Sequence, residues 1–174
     1  MKALRLAAIN RTARALASLG AAAIALNCQA LERPVRISVY QGACVDGDFS
    51  ANLATAREVV AAALEAKSQF LLFPECFLSG YSGRAEVDRG ARAVNDPDLR
   101  QFIAETAAHD LVVMIGLARR SGTNLYNSVL AIQRGALLGY YDKIMLTPGD
   151  RDALGFKPGT AIPLFQAQDR KSVV

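Results

Sequence analysis

Three short apolar runs constrain this chain more than any other feature: Val35 to Tyr40 (VRISVY), Phe70 to Phe73 (FLLF) and Leu111 to Leu117 (LVVMIGL). A continuous apolar run of four to seven residues suits a strand covered on both faces, and VRISVY adds β-branched alternation. Between the first two runs lies a helical pattern, with Ser50 as its predicted N-cap. It extends from Ala51 to about Lys67, with Leu53, Ala56, Val60, Ala63 and Leu64 on one stripe. Pro74 ends the second strand, and a second helix is predicted from about Asp98 to His109, after Asp96-Pro97.

Beyond Leu117 the pattern changes. Leu125 to Ile132 and Leu137 to Tyr141 flank Gln133-Arg134-Gly135-Ala136, a hairpin signal. Lys143 to Thr160 reads as a loop, Ile162 to Gln166 as a further strand, and Lys171 to Val174 as the start of another apolar segment. The order β-α-β-α-β-β-β implies an α/β domain with a mixed sheet.

Charge narrows the function classes. The formal net charge is +4, yet residues 1–34 carry five basic side chains against one acidic, while residues 35–174 carry 15 of each sign. The basic balance therefore belongs to an N-terminal leader, and the neutral body gives no footprint for nucleic acid. With no Trp, the chain also lacks the main material of a base-stacking platform. The apolar run Ala15 to Leu26 is too short for a membrane span, which needs about 20 residues. Residues 1–30 read as a secretory signal, with a cleavage pattern at Cys28-Gln29-Ala30, as an organellar transit peptide, or as an Ala-rich leader of no consequence.

Two side chains stand where an open α/β sheet places ligands, at strand carboxyl ends. Glu75 follows the buried strand FLLF, and a partly desolvated carboxylate there suits a general base or acid; its plain alternative is a solvated or capping carboxylate. Lys143 follows the last hairpin strand and would stabilise a developing oxyanion; its alternative is an ordinary surface lysine. Cys76 adjoins Glu75, but in extended backbone the two would point to opposite faces, so an inert buried thiol is the expectation. Cys44 has no base nearby in sequence, and His109, the one histidine, sits at a predicted helix end. No metal-ligand cluster and no phosphate loop is apparent.

These segments in order resemble the nitrilase superfamily of carbon–nitrogen hydrolases: VRISVYQ, LLFPECFLSGY (residues 71–81), LYNSVLAI (125–132), GYYDKIML (139–146) and FKPG (156–159). The resemblance covers residues 35–174 as a partial domain and implies an incomplete four-layer α-β-β-α sandwich. It implies hydrolysis of amide or carbamoyl bonds, less readily nitriles, through a Glu–Lys–Cys triad with no metal or organic cofactor. Glu75 matches the base and Lys143 the catalytic lysine. Small-molecule amides would be the substrates, the full-length form a homo-oligomer, and the location cytoplasmic unless residues 1–30 redirect it.

The triad's cysteine follows the strand after F-x-P-G in this family, and none of Cys28, Cys44 or Cys76 stands there. The expectation is an N-terminal portion without its nucleophile, inactive as the 174 residues stand. Many family members also carry another active-site Glu between the lysine and F-x-P-G; this loop departs from that pattern and offers only Asp150 and Asp152 as replacements. The alternatives are a non-catalytic interaction module or pseudogene remnant of the same fold, and an unrelated α/β enzyme using Cys76 or Cys44.

Overall fold

The computed structural model describes residues 34–167 and 170–173. The leader through residue 33, with Cys28, lies outside the described residues, and the fold below is that of the unit from Arg36 onward. Its centre is a five-stranded sheet in chain order: β1 (Ile37–Val39), β2 (Phe70–Leu72), β3 (Val112–Ser121), β4 (Asn124–Gln133) and β5 (Ala136–Asp142). β1, β2 and β3 are parallel, and β3–β4–β5 is an antiparallel meander, so the sheet is mixed as the sequence implies. A second, two-stranded sheet pairs β6 (Leu164–Ala167) with β7 (Arg170–Val173).

Helix α1 (Phe49–Glu65) and helix α3 (Pro97–Glu105) contribute to the main core. Phe49, Leu53, Ala56 and Val60 of α1 and Leu99 and Phe102 of α3 cluster there with Val113, Ile115 and Leu117 of β3. These β3 residues alternate with Gly116 and Ala118, so the strand presents its other face to the smaller cluster of Cys76, Val87, Ala118, Leu125 and Phe156.

Several boundaries differ from the sequence reading, each for a local reason. The cap of α1 is Asp48, not Ser50: its carboxylate accepts from Ala51 N at 3.0 Å, and starting two residues earlier lets Phe49 bury completely. Leu64, placed on the buried stripe, is exposed. α3 ends at Glu105, and Thr106–Ala108 tighten into a 3₁₀ turn before His109. β3 runs four residues beyond Leu117, because Arg119 and Arg120 continue the ladder to Tyr126 and Leu125. A short helix, α2 (Arg84–Gly90), had no counterpart in the reading; its one apolar anchor, Val87, gives no periodicity over seven residues. Among the described residues no helix is long and apolar enough to cross a membrane.

Candidate active site

The meander decides where the candidate side chains meet. Because β5 is antiparallel to β4 and β4 to β3, the chain leaves β5 at the same end of the sheet as it leaves β2. Glu75 lies just past β2 and Lys143 just past β5.

After β2, Pro74 supplies no N–H to continue a ladder, and the chain coils into a tight turn. Ser79 N and Gly80 N both bond to Cys76 O, at 3.0 and 2.9 Å, and Cys76 itself has φ 49°, in the left-handed region. This corrects the expectation of extended backbone at Glu75-Cys76. The turn presses onto β3 at Gly116, where a Cβ would stand 2.3 Å from Pro74 O and 2.4 Å from Cys76 N. Only glycine permits that approach, and Leu78 N then bonds to Gly116 O at 2.9 Å.

The end of β5 is clamped on its own terms. Asp142 accepts two bonds from Arg119, at 3.0 and 2.6 Å, and one from Ser128 Oγ at 2.5 Å. The Arg119 guanidinium lies 4.6 Å from the Tyr126 ring centre and 4.2 Å from that of Tyr140. Lys143 follows, its N–H bonded to Asn127 O at 2.8 Å and its C=O accepting from Gly159 N at 3.0 Å.

With both backbones held, Lys143 Nζ reaches Glu75 Oε1 at 2.8 Å and Asp150 Oδ2 at 2.9 Å. Asp150 comes from a π-helical turn, Gly149–Ala153, inside what the sequence suggested was open loop. Thr147 and Asp150 cap each other: Thr147 N donates to Asp150 Oδ2 at 2.9 Å, and Asp150 N donates to Thr147 Oγ1 at 3.1 Å. Tyr81 Oη donates to Asp150 Oδ1, and the Tyr81 ring stacks on Phe156 of the FKPG segment at 6.5 Å. Asp152 pairs with its neighbour Arg151 in solvent, so of the two aspartates only Asp150 joins the cluster.

The electrostatics follow from these contacts. Asp150 is 0% exposed in its side chain, and burial pushes its carboxyl upward. Hydrogen bonds from Tyr81, Lys143 and Thr147 outweigh burial and hold it well below the usual carboxylate range. The bond to Glu75, then that to Asp150, raises Lys143 above an ordinary lysine against its own desolvation. Lys143 is therefore a fixed ammonium. Glu75 is 49% exposed, and its Oε1 also accepts from Asn127 Nδ2 at 2.6 Å. Its Oε2 has no hydrogen-bond partner among the described residues.

The remaining candidates lie outside the cluster of Glu75, Lys143 and Asp150. Cys76 is fully buried, and burial, then the nearby Glu75 charge, pushes its thiol up to about 12. Its Sγ donates to Asn127 Oδ1 at 3.4 Å. Cys44 packs partly buried against the main core, and His109 lines a groove with Arg57, Leu64 and Phe102. Sequence reasoning missed Asn127 as a member of the site. For Asp150, the signal that separates it from Asp152 was present as Thr147-Pro-Gly-Asp150, a Thr-x-x-Asp capping pattern with Pro at its second position.

A family model described as carbon-nitrogen hydrolase matches residues 36–173. A bifunctional nitrilase/nitrile hydratase of Lupinus angustifolius is 28% identical over 151 residues, covering 76% of this chain and 43% of that protein. An (R)-stereoselective amidase of a Pseudomonas species is 28% identical over 125 residues, covering 72% and 44%. Among solved structures, a CN-hydrolase superfamily protein of Xanthomonas campestris with an arsenic adduct in its active site superposes with a TM-score of 0.64. The two are 26% identical, over 80% of this chain and 51% of that one. The chain thus spans less than half the length of these curated relatives.

Proposed function

Because the chain belongs to the carbon-nitrogen hydrolase family, we propose that Glu75, Lys143 and Asp150 are the base, the oxyanion-binding cation and the cation's anchor of a site that cleaves amide or carbamoyl bonds, less readily nitriles. One observation carries this reading: a single ammonium, Lys143 Nζ, bonded to both carboxylates at 2.8 and 2.9 Å. Glu75 Oε2 is the proton acceptor, since Oε1 is already engaged by Lys143 and Asn127. In the proposed cycle a thiol gives its proton to Glu75 Oε2 as its sulfur forms a bond to the amide carbon. The oxyanion so formed rests against Lys143, and Glu75 returns the proton to the departing amine as the C–N bond breaks. Water then cleaves the thioester by the same base and restores the thiol.

The thiol itself is assigned to none of the three cysteines of the 174 residues: Cys28 precedes the first strand, whereas the resemblance places the thiol after F-x-P-G. Cys76 is bonded away in the interior and Cys44 packs against the core, so neither serves as nucleophile. The purified 174-residue chain is accordingly expected to release no ammonia from a primary amide above a buffer control. Ammonia release that disappears in Glu75→Gln would overturn the placement of the thiol. The amidase and nitrilase relatives leave both substrate classes represented.

A further inference from the structure

Cys76 is fully buried, strained in its backbone and without a part in the chemistry above. A non-glycine residue in the left-handed region is strained, and its surroundings must offset that strain. Its thiol donates to Asn127 Oδ1, and the Ser79 hydroxyl stands beside the same sulfur. The other end of that amide, Nδ2, faces Glu75 Oε1 at 2.6 Å. Asn127 is itself buried in the middle of β4, opposite Ala118 of β3, and cannot reorient into solvent.

We propose that Cys76 is a positioning residue: its thiol proton holds the Asn127 amide from the Oδ1 end, so that Nδ2 stays pinned on Glu75 Oε1 and leaves Oε2 as the oxygen that accepts a proton. This rests on the reading of Glu75 as the base. The logic is one of donors and acceptors. A carboxylate only accepts, so Glu75 takes the Nδ2 end of the amide; the thiol, a weak donor and weak acceptor, then meets Oδ1 with its proton and holds the amide from that end. Turned over, Asn127 would set its carbonyl oxygen against the Glu75 carboxylate, two acceptors in contact. The thiol must stay protonated to act this way, and its displacement up to about 12 ensures that at neutral pH. The contact also gives a physical reason for a thiol next to the base that is neither nucleophile nor solvent-accessible.

The test uses the full 174-residue chain and a spectroscopic signature. In ¹⁵N-labelled protein, the Asn127 side-chain amide is expected to show one proton far downfield, from its bond to the carboxylate, with cross-relaxation to the Glu75 methylene protons. Glu75→Gln should abolish that downfield position and so identify it. Cys76→Ala is expected to lose it as the amide, no longer held at Oδ1, shifts and its bond to Glu75 lengthens, whereas Cys76→Ser, which keeps a donor, should retain it. Alanine and serine carry the same backbone strain as cysteine, so the difference between them isolates the donor. A Cys76→Ala protein that keeps the downfield proton overturns the inference. Wild-type amide protons that cross-relax with the Cys76 methylene instead of Glu75 overturn it too, and this second measurement decides if Cys76→Ala does not fold. Neither readout requires turnover, so failure here leaves the role of Glu75 as base to be judged separately by kinetics.

Discussion

Asp150 has the most sharply defined environment of any residue in the site. Three partners converge on a carboxylate with no exposed surface, and their bonds favour its ionised form strongly enough to overcome burial. The pH consequence follows in sign. A carboxyl held low when folded contributes stability that is present above its unfolded value of about 3.9 and is lost as pH falls through the folded value. Lys143, raised when folded, contributes stability present below about 10.4 and lost as pH rises through its own folded value. The cluster should therefore be intact from about pH 4 to about pH 10. Asp150→Asn is expected to cost about 3 kcal/mol at pH 7, because it leaves an ammonium short of a partner, and to flatten the acid limb. Urea denaturation from pH 2 to 8 checks both; an unchanged acid limb would mean that Asp150 is not the group titrating. At the same scale, native-state thiol labelling should modify Cys44 well before Cys76. Rapid labelling of Cys76 would revive the reading of an enzyme built on that thiol.

At the scale of elements, the turn after β2 and the end of β5 deliver Glu75 and Lys143 to one another, and each depends on a feature of a neighbouring strand. Gly116→Ala inserts a methyl into the Pro74–Cys76 backbone, and we expect a loss of about 1–3 kcal/mol together with displacement of Glu75. Equilibrium unfolding reads the first, and the Lys143 ammonium resonance, no longer coupled to Glu75, reads the second. A variant as stable as the parent would show that the contact relaxes freely. The strands themselves were legible because buried apolar runs leave few alternatives, and so were Glu75 and Lys143, which stand immediately after them. Gly116 was legible only as part of LVVMIGL; an isolated glycine within a strand does signal close backbone approach, but not what approaches. Asn127 was hidden for a different reason. It lies within a strand pattern, and which face meets Glu75 depends on the register with β3 and β5, which local sequence does not carry.

For the molecule as a whole, the sheet face bearing Ile37 and Val39 has little cover among the described residues. These two are 54% and 58% exposed, and they pair in register with Phe70 and Leu72. Such an apolar row on a three-residue edge strand favours association. The 174-residue chain is expected to bind a hydrophobic dye and elute as associated species in size exclusion, with Ile37→Lys/Val39→Lys reducing both. A dye-negative monomer would speak for a self-sufficient module instead. The central claim is that this stretch supplies the base and cation of a carbon–nitrogen hydrolase while the thiol comes from elsewhere. Its most direct test is a chimera joining residues 36–173 to the remainder of the Pseudomonas amidase, the part in which the family resemblance places the thiol. Ammonia release from a primary amide should appear in the chimera and fall by about 10²–10³-fold in Glu75→Gln and in Lys143→Met. A folded chimera that releases ammonia at the same rate in all three forms, zero included, would contradict it.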